Sequence, residues 1–136
     1  MIKQQSGFTL IELIAVLVIL GILAATAVPR FIDLSDEAGA AAVNNIAGSI
    51  ESASALNHAV AIANSAGLSN DTFIDVVACT LADVNGLLTS TLPGADYTVT
   101  EVIAFPAAAS GEIATCNIEG PTGDDADFVL IYAINP

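Results

Sequence analysis

The sequence predicts an α+β chain: a long N-terminal helix, membrane-spanning in its first half and amphipathic in its second, packed on a small C-terminal antiparallel sheet of about three strands. Three observations carry this. Residues 7–29, GFTLIELIAVLVILGILAATAVP, form an almost unbroken apolar run with one acid, Glu12. The Ala-rich stretch after Pro29 places apolar residues at helical intervals. From Asp96 onward the pattern changes to short alternating segments rich in β-branched residues.

From Phe8 to Val28 the run is about 21 residues, or roughly 31 Å as a helix, which matches the hydrocarbon thickness of a bilayer. Before it stands a polar leader, MIKQQSG, with one positive charge at Lys3. An ordinary secretory signal has a shorter apolar stretch followed by a small-residue cleavage site. Here the run is full length, AATA at 24–27 is its only such exit, and Glu12 near its start argues against removal. A carboxylate in the membrane costs a few kcal/mol and is usually kept for a function; the plainer reading is that it snorkels to the headgroups. Gly21 and Pro29 are where this helix is weakest, because glycine is flexible and proline lacks the amide donor.

After Pro29, apolar positions at Leu34, Ala38, Ala42, Ile46, Ile50, Ala53, Leu56, Val60 and Ala63 predict one helix face, with Asp36, Glu37, Asn45, Ser49, Glu51 and Ser52 elsewhere around it. Ser65 and Gly67 are stop signals, so the helix is expected to end near Asn64. A linker follows, with a helical turn or two expected at 71–81 and turns at Asn85-Gly86 and Pro93-Gly94. Strand candidates begin at Asp96 and recur at 112–118 and 128–134, with loops at 106–111 and 120–127, which predicts an antiparallel meander. The organisation expected is therefore a leader at 1–7, a membrane helix at 8–28, an amphipathic helix at 29–64, a linker region at 65–95 and a sheet region at 96–136.

The chain of 136 residues holds two basic and fifteen acidic side chains, for a net charge of −13. Both Lys and Arg residues, Lys3 and Arg30, flank the apolar run, so the acidic surface beyond residue 30 repels phosphate, and no nucleic-acid partner is expected. Two cysteines, Cys79 and Cys116, lie beyond the span. In an exported domain an even count predicts one disulfide; two buried thiols are the other reading.

Catalysis lacks its parts. The one histidine, His58, lies in the Ala-rich helix far along the chain from either cysteine, as a partly exposed helix residue. No glycine-rich phosphate loop, HExxH or CxxC spacing occurs, and neither an enzyme nor a cofactor is expected. Asp124, Asp125 and Asp127 could offer oxygen ligands to calcium, but their spacing matches no recognised calcium loop and a solvated acidic turn is the favoured reading. Asn70-Asp71-Thr72 matches a glycosylation sequon, a pattern short enough to recur by chance.

The leader ending in Gly7, then FTLIEL with Phe8 and Glu12, the long apolar run, Gly21 and Pro29 together resemble the N-terminus of the type IV pilin and pseudopilin superfamily. Within it, residues 7–33 look like pilins of the mannose-sensitive haemagglutinin type. The resemblance implies a single-pass inner-membrane protein with its leader in the cytoplasm. A prepilin peptidase would cut after Gly7 and Phe8 would be N-methylated. Glu12 would then register each subunit on the terminal amine of a neighbour. It implies extraction by a membrane assembly platform with a cytoplasmic ATPase, polymerisation into an extracellular helical filament, and surface attachment. The alternative within the family is a pseudopilin of a type II secretion system. A monomeric membrane-anchored binding domain would have no reason to keep Gly7, Phe8 and Glu12 together.

Overall fold

The computed structural model describes residues 7–134, the side chains at 29–33 excepted, so the leader before Gly7, with Lys3, and the Arg30 side chain lie outside the described residues. The chain divides into two compact units, Met1–Asp36 and Glu37–Pro136. The first helix, α1, runs Leu10–Ser65 and contributes to both. Its helical backbone continues through Gly21 and Pro29.

In the first unit, Leu10–Val28 is long and apolar enough to cross a membrane, and none of it is buried within the chain. A helix apolar all round has no soluble partner face, so its surroundings must be lipid or other helices.

In the second unit, α1 buries Val43, Ala47, Ile50, Ser54 and Ala61, positions three, four and seven apart. This is not the face the spacing predicts. Of the expected positions only Ile50 is buried; Ala42 is exposed and Leu56 is 70% exposed. An Ala-rich helix is apolar nearly all round, so periodicity locates its face poorly. The larger side chains Val43 and Ile50 turn toward the sheet.

The sheet is an antiparallel meander in the order β1 (Thr98–Ile103), β2 (Ile113–Glu119), β3 (Asp125–Ile131). Its inner face carries Ala114, Cys116 and Ile118 from β2 and Ala126, Phe128 and Leu130 from β3, all in one core with Val43, Ala47 and Ile50. Phe128, Ile50, Ile118 and Leu130 are the largest fully buried side chains, each stabilising the fold by about 2 kcal/mol.

β3 starts three residues before its expected place. Asp125 and Asp127, expected in a loop, instead alternate with buried Ala126 and Phe128. Asn117 of β2 donates to both, to Asp125 Oδ2 at 2.7 Å and Asp127 Oδ1 at 2.9 Å, which holds the acids on the strand's outer face. The β2–β3 turn is correspondingly tight, with Gly123 at φ 80° donating to the Gly120 carbonyl at 3.0 Å.

Residues 71–80 are not helical. They run extended, with Val76 bridging Ala133, and the short helix α2 begins at Leu81 (Leu81–Leu87). Thr80 caps it, accepting from the Asp83 amide at 3.1 Å, while Asp83 Oδ2 accepts from Ala78 N at 3.0 Å. Asn85-Gly86 therefore lies inside a helix rather than in a turn, because the Thr80 cap starts the helix before it. The chain does turn at Pro93, whose carbonyl accepts from Asp96 N at 3.0 Å.

Two asparagines do the work of strand partners for this segment. Asn57 accepts from Ile74 N at 2.7 Å and donates to its carbonyl at 2.8 Å; Asn85 treats Leu92 likewise at 2.7 and 3.3 Å. The Cys79–Cys116 disulfide, with Cα atoms 5.7 Å apart, ties the same segment to the central strand.

Candidate functional site

The first unit offers its chemistry where α1 begins. Thr9 precedes the helix, and its hydroxyl oxygen accepts from the Glu12 amide at 3.3 Å. Glu12 reaches back: its Oε2 accepts from the Thr9 amide at 2.9 Å and from the Thr9 hydroxyl at 2.8 Å. This reciprocal arrangement is a capping box, which satisfies amides that the first helical turn leaves without partners. The sequence carries this signal as Thr-x-x-Glu at 9–12, directly ahead of the apolar run.

One carboxylate oxygen is engaged by the chain's own backbone. Oε1 meets no hydrogen-bond donor among the described residues and remains free for a donor from outside. Phe8, just before the cap, is 86% exposed, and nothing lies within 4 Å of where a Cβ on Gly7 would stand. The Gly7–Phe8 bond and the free edge of Glu12 thus lie together at an accessible end of an apolar helix.

The other expected site residues are placed as follows. Gly21 sits within α1 with open space around its Cα, and Pro29 continues the helical backbone. Cys79 and Cys116 are bonded to each other. The three acids expected as a weak calcium candidate are not brought to one point. Asp124 turns to the Thr122 hydroxyl at 2.6 Å, close to Gly39 on α1, while Asp125 and Asp127 share Asn117 on the sheet's outer face. Among the described residues no group of three or more His, Cys, Asp or Glu side chains could hold a metal ion. His58 is half-buried, its Nδ1 enclosed without a hydrogen-bond partner and its ring near Gly111.

Residues 2–28 match the family described as the prokaryotic N-terminal methylation motif. The chain is similar to the type IV narrow pilus major component PilA5 of Thermus thermophilus, 55% identical over 53 residues, 39% of this chain and 46% of that one. It is similar to the type II secretion system core protein G of Pseudomonas aeruginosa, 61% identical over 36 residues, 26% of this chain and 25% of the relative. It is also similar to the fimbrial protein EcpC of Eikenella corrodens, 35% identical over 101 residues, 68% of this chain and 66% of the relative. The chain thus spans less than half the length of the first two relatives. No solved structure matches it significantly.

Proposed function

We propose that this chain, whose N-terminal segment is that of the type IV pilin and pseudopilin family, is a structural, non-enzymatic filament subunit of a type IV pilus. One observation carries the reading. The methylation motif at residues 2–28 coincides with an exposed Gly7–Phe8 junction, a capped Glu12 and an unburied apolar helix at Leu10–Val28. A helix of this kind is at home first in a bilayer and then among copies of itself.

In this reading a prepilin peptidase cuts after Gly7 and Phe8 becomes the methylated N-terminus. The amine of a neighbour then takes the free Oε1 of Glu12. Burying a lone carboxylate among apolar helices is costly, and a cation from the next subunit offsets that cost only in the correct register. The subunit waits in the inner membrane, and an assembly platform with its ATPase moves it into an extracellular filament. The names of the pilus and fimbrial relatives support a pilus. The run at residues 7–33 supports the mannose-sensitive haemagglutinin type and surface attachment.

A second reading, a pseudopilin of a type II secretion system, is favoured by the likeness to core protein G. Mass spectrometry of filaments sheared from the cell surface tests both. Long surface fibres of this chain, beginning at a methylated Phe8, are expected. Secretion defects without surface fibres would favour the pseudopilin, and a chain still carrying residues 1–7 in fibres would overturn the processing.

A further inference from the structure

The sheet has two edges, and the chain closes one of them. Along β3 the outward amides of Val129 and Ile131 donate to Glu51 Oε1 and Ser54 Oγ, each at 2.9 Å, so α1 occupies the places a further strand would need. Past Ile131, Ala133 pairs with Val76. Among the described residues nothing covers β1 in this way.

Which groups β1 presents follows from the ladder. In an antiparallel pair, residues alternately turn their amides and carbonyls toward one neighbour and then the other. Val129 and Ile131 point away from β2, so their partners Thr115 and Ile113 turn toward β1. The same alternation makes Thr98–Glu119 and Thr100–Asn117 the bonded pairs between β1 and β2. Val99 and Glu101 therefore aim their N–H and C=O groups outward, where no described residue meets them. The strand around them is extended, rich in β-branched residues and exposed, Val102 at 54% and Ile103 at 61%.

We propose that the Val99–Glu101 edge of β1 is a docking site for an added strand from a partner polypeptide bearing basic and aliphatic side chains. A second copy of this chain is a poor occupant. Residues 37–136 contain no Lys or Arg, so self-pairing would bring two acidic units together with nothing to offset them. The register shift between Glu101 and Ile103 further limits the ladder to a short segment. Those features that discourage self-association favour a cationic strand. A residue opposite Glu101 lies about 5 Å from it, within reach of a Lys or Arg head, while one opposite Val99 meets an aliphatic neighbour. Backbone pairing would supply affinity and the Glu101 partner the selectivity. The site belongs to the 37–136 unit and does not depend on the filament reading.

The test uses the full chain in uncharged detergent micelles and a fluorescein-labelled octapeptide, Lys-Thr-Val-Thr repeated twice, which can set a Lys opposite Glu101 and a Val opposite Val99 on one face. Saturable binding is expected, with slowed hydrogen exchange at the amides of Val99 and Glu101. An analogue N-methylated at every residue keeps the charge but can pair through neither edge, and should bind roughly tenfold more weakly. Glu101→Gln should weaken binding severalfold without changing the fold. Equal binding by the methylated peptide would mean mere electrostatic adsorption and would overturn the proposal. So would unchanged exchange at Val99 and Glu101, or protection of these amides by self-association before any peptide is added.

Discussion

Ser54 Oγ lies 2.9 Å from the amide nitrogen of Ile131 and accepts its proton, 77 residues along the chain. At 1% exposure Ser54 is the one buried polar side chain among the described residues, so no water can replace it. Ser54→Ala should leave that amide unsatisfied and lower stability by about 1–3 kcal/mol. Glu51 makes the equivalent bond to Val129 but is exposed, and Glu51→Ala should cost under about 1 kcal/mol because water takes its place. Chemical unfolding of both variants in micelles compares them; equal losses would contradict the difference in burial.

The same pair shows what the sequence could and could not reveal. The apolar run, the meander and the three strands were legible because each announces itself within a dozen residues by length or alternation. Glu51 reads as a residue away from the apolar face and Ser54 carries no signal, since their partners stand on a strand no local pattern connects to them. Asn57 gives no signal for the same reason, and Asn85 signals only a turn: each clamps the backbone of a distant loop residue, Ile74 and Leu92, that no local pattern connects to it. At the N-terminus the reverse held. Gly7, Phe8 and Glu12 stand within six residues as one motif, and the structure adds that Thr9 and Glu12 cap each other.

Gly39 and Gly48 lie on the same helix and should answer oppositely to alanine. A Cβ on Gly39 would collide with Asp124 Oδ2 and the Thr122 hydroxyl, so those two side chains must rotate away and give up their mutual hydrogen bond. At Gly48 nothing lies within 4 Å. Gly48→Ala should therefore stabilise by about 0.5–1 kcal/mol through helix propensity alone. Gly39→Ala gains the same propensity but loses the Thr122–Asp124 hydrogen bond, about 0.5–1.5 kcal/mol, and should come out neutral to slightly destabilised. Thermal melts of the two variants give the sign of each.

The Cys79–Cys116 bond closes a loop with a sequence separation of 37 and should contribute about 4 kcal/mol by restricting the unfolded chain. Replacing both cysteines with serine, or unfolding under reductant, reads that contribution. A loss under about 1 kcal/mol would mean that the Asn57 and Asn85 clamps hold the 66–97 segment unaided. Asn57→Ala should then become markedly more damaging in the reduced protein than in the oxidised one.

Charge sets a condition on any filament this chain forms. With a net charge of −13 and no basic side chain beyond residue 30, neighbouring 37–136 units have no side-chain ion pairs to form with each other. Contacts between them are therefore expected to be apolar, neutral polar or bridged by cations. At about 0.01 M salt the repulsion reaches roughly 30 Å, against about 8 Å at physiological strength. Filaments should therefore shear more readily in low salt with a chelator than in physiological salt with divalent ions, and identical shear resistance would defeat the argument.

Glu12 holds two possible roles, and glutamine separates them. As the reciprocal half of a capping box it needs only an acceptor for the Thr9 amide, which the glutamine carbonyl supplies. As the partner of a neighbour's amine it needs a charge, which glutamine lacks. Glu12→Ala removes both and should leave membrane insertion intact, since the run Leu10–Val28 is only made more apolar, while filaments disappear. If pairing across subunits is the function, Glu12→Gln should fail as alanine does, with fibre yield reduced severely although the helix start is still capped. Thr9→Val removes the hydroxyl cap at a cost of about 1 kcal/mol but keeps the Glu12 charge and the Thr9-position amide, so fibres should persist in reduced number. Counting fibres by electron microscopy across the three variants decides: normal fibres with glutamine would assign Glu12 to capping alone.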